Sequence, residues 1–473
     1  MQTFIHASLC ARRSRCAYVG LAAGILLLVV LGAAPAAMGR GTDDPARVIF
    51  DFAATPSWTH EYHGPGNVPD FAFDVVLASS SVAYVCGDTG SDAASDATLM
   101  KYVDGAPAWS TPRVYNSPEN SYDAVYSLVL APDKQSVYAA GATARTATLN
   151  DVLVVKWKSN GTRQWARRWD SSGGVDRPAG IDVDRNGNVY VAAVSMTASG
   201  YDWSLVSWKS SGAFRWAKRL NLPSGTFGIP RDIAVDGSNV YVTGFTQDGM
   251  MSNPRMRTVR YTTAGAIKWN RAYNATEGAS ANALALRPGG GVYVAGQRIS
   301  SVTGGDGLVV SYTKSGTRDV FAVDTGPGGF THQAYNDLAV MSNGMIVAVG
   351  MSQTAANQDC HQVAYTSDGT IAATATFPGA WNDEWVAVAA DDFGGFYVTG
   401  TYHVAAGKTA IAVARGSVLN GGGGFTSLWQ PALATQENRA NAIAVYGTTA
   451  VVVGQCSTNA AYGTDQIVLG YVW

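Results

Sequence analysis

Aspartate recurs at one position of a repeated pattern, where it opens a strand after a polar loop. Carboxylates in such a series could be metal ligands or a ring of acids. They occur once per repeat, however, so neighbours should lie about one repeat apart, and hydrogen bonds to nearby backbone N–H groups explain them better. The residues at this position are Asp96, Asp151, Asp202, Asp306, Asp359 and Asp465.

The segment that contains Asp182, Asp184, Asn186 and Gly187 has the first half of a calcium-binding loop. Oxygen ligands at the first, third and fifth positions with glycine at the sixth suit Ca²⁺. The closing acidic ligand is missing, because Tyr190 and apolar residues follow, and a tight hairpin turn accounts for the segment. We therefore expect no cofactor, with calcium at Asp182, Asp184 and Asn186 as the weaker alternative.

No arrangement of nucleophile and base typical of an enzyme stands out. The histidines are scattered singly, apart from His60 and His63. The acidic pair Asp383-Glu384 would point to opposite faces of a strand. We assign no catalytic residue, but distant residues could converge in the fold, so a hydrolase or lyase site remains an alternative.

Tryptophan recurs four residues after a glycine turn in the first four repeats. A series of tryptophans could form a sugar-binding ladder, but one fixed position per repeat favours docking of one repeat against the next. Val320 and Ala373 replace it in the fifth and sixth repeats. The tryptophans that we assign to docking are Trp58, Trp109, Trp165, Trp216, Trp269 and Trp429.

The repeat itself is marked by a short motif, an aromatic or aliphatic residue followed by two small or apolar residues and then Gly or Ala. Its eight copies recur every 50–54 residues and define units one to eight. A strand and a tight turn precede the motif, and a polar loop and two further strands follow it. Four strands in about 50 residues predict a β-propeller blade. The copies end at Gly87, Gly141, Ala193, Gly244, Gly296, Gly350, Gly400 and Gly454.

The last unit stops after Gln466–Trp473 and lacks a fourth strand. Trp58–Tyr62 has the pattern of a fourth strand with no unit before it. We therefore predict an all-β, eight-bladed propeller of four-stranded antiparallel blades, with Trp58–Tyr62 beside the C-terminal strand. The segment 47–52 resembles a third strand, so it either competes with the C-terminal strand or packs outside. Cys86 and Cys456 then fall in neighbouring blades, beyond the usual reach of a disulfide.

The first 40 residues differ from the rest of the chain. Arg12, Arg13 and Arg15 precede an apolar run over residues 16–38, and small residues follow. This layout predicts a secretory signal peptide, or a membrane anchor if it is not cleaved. We expect a signal or anchor at 1–40, a leader segment at 41–55 and a single propeller at 56–473, outside the cytoplasm.

The unit that runs from Asp151 through Trp157, Gly161 and Trp165 to Val191 resembles the bacterial SBBP-type repeats of secreted β-propellers. The resemblance covers residues 56–473, although that family is named for seven blades. It implies a fold rather than an activity.

The net charge of −2 and the absence of a basic cluster after the leader argue against nucleic acid as a partner. The loops after the motif vary most between units, and such loops usually carry binding. We expect a monomeric, non-catalytic scaffold that binds a protein or a glycan on one face. The alternative is a secreted hydrolase or lyase with its site at the central channel.

Overall fold

The computed structural model describes residues 49–51, 56–64, 68–90, 94–146, 149–171, 174–198, 200–249, 253–273, 277–326, 332–354, 356–417, 427–429, 438–459 and 463–472. Within these ranges the regular structure is β-strand, without a helix. No segment of the described chain therefore forms a helix long and apolar enough to cross a membrane. The predicted signal or anchor at 1–40 lies outside the described residues.

The strands of units one to four follow the order that the repeat predicts. Unit one has Asp70–Ser79, Val82–Thr89 and Asp96–Val103, with Ala106–Pro107 and Arg113–Tyr115 sharing the fourth position. Unit two has Asp123–Leu130, Ser136–Thr146, Leu149–Lys158 and Arg163–Trp169. Unit three has Asp176–Val183, Val189–Thr197, Gly200–Trp208 and Phe214–Arg219. Unit four has Thr226–Asp236, Asn239–Asp248, Arg255–Thr262 and Ile267–Tyr273.

Units five to eight continue the series. Unit five has Ala279–Leu286, Gly291–Ser300, Gly304–Thr313 and Arg318–Asp324. Unit six has His332–Val340, Ile346–Gln353, Gln358–Tyr365 and Ile371–Phe377. Unit seven has Glu384–Ala390, Gly395–Ala405, Lys408–Ser417 and Ser427–Trp429. Unit eight has Arg439–Tyr446, Thr449–Asn459 and Gly463–Val472, and its fourth strand is Trp58–Tyr62.

Successive strands of each unit pair antiparallel, which makes the first strand one edge of the sheet and the fourth the other. Single parallel bridges join unit three to unit four and unit five to unit six. The starts of the first and third strands lie on one face with the long loops, which we call the loop face. The tight hairpins lie on the opposite face, which we call the turn face.

The N-terminal part of the described chain contributes to two units. Trp58–Tyr62 pairs antiparallel with the third strand of unit eight, from Trp58 opposite Gly470 to Tyr62 opposite Gln466. This is the pairing that the sequence predicted. Ile49–Asp51 instead pairs with residues 415–417 of unit seven, so it does not compete with the C-terminal strand. It extends the outer edge that Ser427–Trp429 also occupies.

The buried hydrophobic residues lie between units rather than within one. Eight clusters are found in the described chain, and each joins two consecutive units. One of them contains Val75 and Met100 of unit one together with Val453 and Val468 of unit eight. The first strands of consecutive units also contact each other, and the first strand of unit one contacts that of unit eight. Each unit therefore buries much of its hydrophobic surface against the two units beside it.

Candidate functional site

The recurrent tryptophan lies against a glycine of the following unit. A Cβ on Gly212 of unit three would lie 2.9 Å from the ring of Trp165, and Trp165 Nε1 donates to the Ser210 carbonyl at 3.1 Å. In unit five Val320 takes the place of the indole, against Gly369. The side chain of Trp429 lies outside the described residues. The same contact is made by Trp58 with Gly105, Trp109 with Gly161, Trp216 with Gly265 and Trp269 with Gly316.

The glycine of the repeated motif faces a β-bulge in the first strand of its unit. In unit two the register shifts between Val125 and Ser127, and Gly141 pairs with Val125. A Cβ on Gly141 would lie 1.8 Å from the Ala124 carbonyl oxygen, so a side chain cannot fit without movement of the backbone. Equally close contacts, of 1.6–2.1 Å, would arise at Gly87, Gly244, Gly296, Gly350, Gly400 and Gly454.

The aromatic residue of the motif connects its unit to the next. Tyr84 is buried, and its hydroxyl donates to the Ser159 carbonyl of unit two at 3.2 Å. Burial raises the pKa of Tyr84, which keeps this donor protonated. Tyr138 bonds in the same way to Gly187, Tyr190 to Thr263 and Tyr293 to Ser367. The aromatic residue that begins the motif and the glycine that ends it thus both have structural roles.

Acids and amides at the inner edge connect neighbouring first strands. Asp232 is fully buried and accepts hydrogen bonds from the N–H of Ile233 and, at 2.9 Å, from the N–H of Leu284 in unit five. Buried carboxylates need such partners. The same link is made from Asp74 to Leu128, Asp182 to Val235 and Asp337 to Val388. The amides of Asn282, Asn336 and Asn441 donate to the carbonyls of Tyr335, Trp385 and Ala72.

Two of the strand-opening aspartates accept bonds from backbone amides. Asp202 accepts from the N–H of Trp203 at 2.7 Å and of Asn221 at 2.9 Å. Asp359 accepts from Gly379 at 2.9 Å. Three others contact basic side chains, which backbone bonding alone does not explain: Asp151 contacts Arg168, Asp306 contacts Arg298 and Asp465 contacts His63.

A second aspartate, at the start of the next unit's first strand, lies near four of these residues. The N–H of Asp123 donates to the Ser95 carbonyl, and burial together with the charge of Asp123 raises the pKa of Asp96. Sequence reasoning placed such acids a unit apart and missed this pairing, although aspartate at the start of several first strands was a visible signal. The pairs are Asp96–Asp123, Asp151–Asp176, Asp359–Asp383 and Asp465–Asp70.

One junction gathers three carboxylates. Oxygens of Asp151, Asp170 and Asp176 lie within 4.8 Å of one another. Burial, followed by the charge of Asp170, raises the pKa of Asp151 to about 6. Arg168 approaches Asp151 at 3.3 Å, and Arg145 approaches Asp170 at 3.2 Å. Arg168 also contacts Glu119 at 3.0 Å, so two guanidinium groups face four carboxylates in an ion-pair network between units two and three and compensate part of the negative charge.

The residues of the calcium alternative belong to a closed turn. Asp184 Oδ1 accepts from the N–H groups of Asn186 and Asn188, and Oδ2 accepts from the hydroxyl of Tyr190. Asp182 is engaged with the next unit, as described above. These bonds are those of a hairpin, and calcium here stays a hypothesis.

One histidine lies in a buried network between units five and six. His361 Nε2 is 2.7 Å from Asp324 Oδ2, which also accepts from the hydroxyl of Tyr335 at 2.9 Å. Tyr335 in turn lies 2.6 Å from the hydroxyl of Tyr365. His361 has no exposed surface, so a substrate could not reach it without opening of the junction. Elsewhere His60 contacts Tyr102, His63 contacts Asp465, His332 contacts Gln297 and His403 contacts Asp383.

The three cysteines after the leader are buried thiols. Neither Cys86 nor Cys456 is in a disulfide, and Cys86 Sγ donates to the Val125 carbonyl at 3.4 Å. Burial raises the pKa of Cys360 and Cys456 well above the usual value for a thiol. Such thiols lack the thiolate character of a reactive cysteine.

Comparison with known proteins identifies the fold. Sqt1 from Chaetomium thermophilum, solved bound to the N-terminus of the ribosomal protein L10, is 13% identical and has a TM-score of 0.54. The match covers 89% of this chain and all of that chain. A second Sqt1 structure matches at 12% identity and a TM-score of 0.54, over 90% of this chain and 100% of that one.

A polysaccharide lyase described as PL25 ulvan lyase matches at 11% identity and a lower TM-score of 0.46, over 87% of this chain and 96% of that one. At 12–13% identity the likeness to Sqt1 shows the fold alone, which is that of a β-propeller. No family model and no curated protein matches the chain.

Proposed function

We propose that the eight units form one closed eight-bladed propeller, completed by Trp58–Tyr62, and that it acts as an extracytoplasmic scaffold that binds a protein or glycan. Two observations support a ring of eight. The hydrophobic cluster shared by units one and eight resembles those at the other junctions, and Asn441 of unit eight donates to the Ala72 carbonyl of unit one at 2.7 Å.

One observation favours a binding scaffold over an enzyme. Four carboxylates of the first strands, those of Asp74, Asp182, Asp232 and Asp337, accept from backbone N–H groups of the neighbouring unit. A general acid or base must instead reach a substrate. The same bonds hold the first strands rigidly, which suits a platform for variable loops.

The connections between second and third strands, taken with the strand ends beside them as 88–95, 196–201, 245–254 and 299–305, differ in length and composition. The described strand ends of these connections lie on the loop face. Loops on a rigid support commonly carry recognition. At the tip of the last of them, Val302 is 91% exposed. We assign partner binding to this face, and export to the segment 1–40. We also propose that the units are related to the SBBP-type repeats that they resemble in sequence.

The test uses the chain from residue 41, on an array of neutral and acidic glycans and in pull-downs from an envelope fraction. We expect a saturable partner, and binding should fall at least tenfold when 299–305 is replaced by Gly-Ser of equal length. The control is the hairpin tip Asp392→Asn on the turn face. Release of shortened or unsaturated sugars would contradict the proposal and support the hydrolase or lyase. Tagged full-length protein in the cytoplasm with an intact Met1 would contradict export.

A further inference from the structure

A groove of about 610 Å³ opens on the turn face at the junction of units four and five. Three cationic side chains line it: Arg260 from unit four, and Arg287 and Lys314 from unit five. The remaining wall is formed by the turn at 288–290 and by the hydroxyl residues Thr313 and Ser315. The volume falls within the range of small-molecule sites.

Arg287 places a cation at a turn position where units three, six and seven carry Asp184, Met341 and Asp391. The backbone N–H of Arg287 donates to the carbonyl four residues later at 3.0 Å, as do Asp184 of unit three and Asp391 of unit seven. Asp391 Oδ1 accepts from the N–H groups of Phe393 and Gly395 and so stabilises its turn. Unit five has no such acid, and its turn contains glycines with positive φ at 289–291 instead.

Lys314 is a second departure from the repeat. It follows Thr313, whose carbonyl accepts from Gly316 in a turn that recurs in units two, three, four and six. Those units carry serine or threonine at the position of Lys314, namely Ser159, Ser210, Thr263 and Ser367. Two of the three cations in the groove therefore stand where the units with the same turns have an acid or a neutral residue.

The positive charge of the groove is only partly compensated. Arg287 contacts Asp319, and Asp236 Oδ2 would lie 4.0 Å from a Cβ on Gly290. Arg260 bonds to neutral oxygens, the side chain of Asn239 and the Lys314 carbonyl. One net positive charge and several guanidinium donors remain for a ligand.

We propose that this groove binds an acidic glycan through a carboxylate or sulfate group. The anion would lie between the three cations, and the hydroxyls of Thr313 and Ser315 would contact the sugar. Pro288 is the one apolar side chain in the lining, so the groove lacks the anchors that a peptide or lipid would need. The inference rests on the proposed function, because the ligand is again a glycan. It adds the class of glycan and makes the turn face a second binding face.

The test is calorimetric titration of the chain from residue 41 with four probes: a sulfated heparin tetrasaccharide, an oligogalacturonate, a neutral cello-oligosaccharide and inorganic sulfate. We expect one or both acidic sugars to bind, with affinity that weakens as salt rises. Lys314→Ser and Arg287→Gln should each weaken that binding at least fivefold. The matched control Lys209→Ser removes an exposed lysine from the same turn of unit three and should leave it unchanged.

Equal binding of the neutral sugar, binding of inorganic sulfate alone, or wild-type affinity in both groove variants would overturn the inference. Loss of acidic-sugar binding on replacement of 299–305 but not in the groove variants would also overturn it, while leaving the proposed function intact. If acidic sugars bind on the array and in the groove, replacement of 299–305 leaves that binding unchanged and the pull-downs give no partner, the loop-face proposal fails and this inference stands.

Discussion

Trp165 is 8% exposed, and it combines a ring contact to Gly212 with an indole hydrogen bond to Ser210 of the next unit. Trp165→Ala should therefore lower the free energy of unfolding by roughly 3–5 kcal/mol, the range for a buried large aromatic. Guanidinium denaturation measures it. Phe393→Ala, at a side chain 70% exposed, should change stability by no more than about 0.5 kcal/mol. Equal midpoints for the two variants would mean that the indole does not dock the units.

Substitution of Gly141 tests whether the β-bulge in the first strand of unit two requires glycine opposite it. Gly141→Ala forces a Cβ against the Ala124 carbonyl, so we expect a loss of roughly 1–3 kcal/mol in the free energy of unfolding. Unit three carries Ala193 at the equivalent position, where it pairs with Pro178. In that unit a glycine lies instead on the first strand, where Gly180 pairs with Ala192. Ala193→Gly should accordingly cost only about 0.5–1 kcal/mol. A harmless Gly141→Ala would show that the bulge does not select glycine.

Asp324 gives stability a dependence on pH. Burial would raise the pKa of Asp324, but the hydrogen bond and charge of His361, with the N–H of Gly326 and the hydroxyl of Tyr335, lower it below the usual value. A carboxyl whose pKa is lowered in the folded state stabilises the fold at pH values above its unfolded pKa of about 3.9. This stabilisation is lost as the pH falls through the folded-state pKa.

Asp324→Asn should therefore be less stable than the wild type at pH 6, with a difference that shrinks below about pH 4. Urea midpoints measured from pH 3 to pH 7 test this, with the exposed Asp392→Asn as control. A difference that stays constant over that range would show that the carboxylate charge contributes nothing.

At the scale of strands, the sequence predicted most of what local signals control. Alternating residues and turns such as Asn186-Gly187 placed the strands, and counting them placed Trp58–Tyr62 in unit eight. The bulge opposite Gly141 was not predictable, because it depends on a carbonyl in the neighbouring strand. The Asp151–Asp176 pair was missed for a related reason, since it joins two units. The destination of Ile49–Asp51 was left open and lies in unit seven.

The two N-terminal strands can be tested separately by truncation. A chain that begins at residue 56 loses only Ile49–Asp51, whereas one that begins at residue 64 also loses Trp58–Tyr62 and exposes the third strand of unit eight. We expect the longer truncation to lower the thermal midpoint far more, because the Trp58 ring on Gly105 and a full ladder are lost. Similar midpoints for the two chains would argue against a structural role for Trp58–Tyr62.

For the whole molecule, the repeated contacts explain why the units share a motif. Tyr84, Gly141 and Trp165 each serve a junction or a bulge, so their recurrence carries no information about a partner. The departures are more informative. Arg287 and Lys314 break the pattern on the turn face, and the loops at 299–305 and elsewhere break it on the loop face.

The proposed closure of the ring is tested most directly by a disulfide between the two ends of the chain. Thr59 lies opposite Leu469 in the antiparallel ladder, within the reach of a disulfide. After mild oxidation of Thr59→Cys/Leu469→Cys, peptide mapping by mass spectrometry should find residues 59 and 469 linked within a single, monomeric chain. The off-register pair Thr59→Cys/Ile467→Cys should link poorly, since diagonal Cα atoms are about 7–8 Å apart. Links between two chains, or equal linking in both pairs, would contradict a ring closed by the chain's own N-terminal strand.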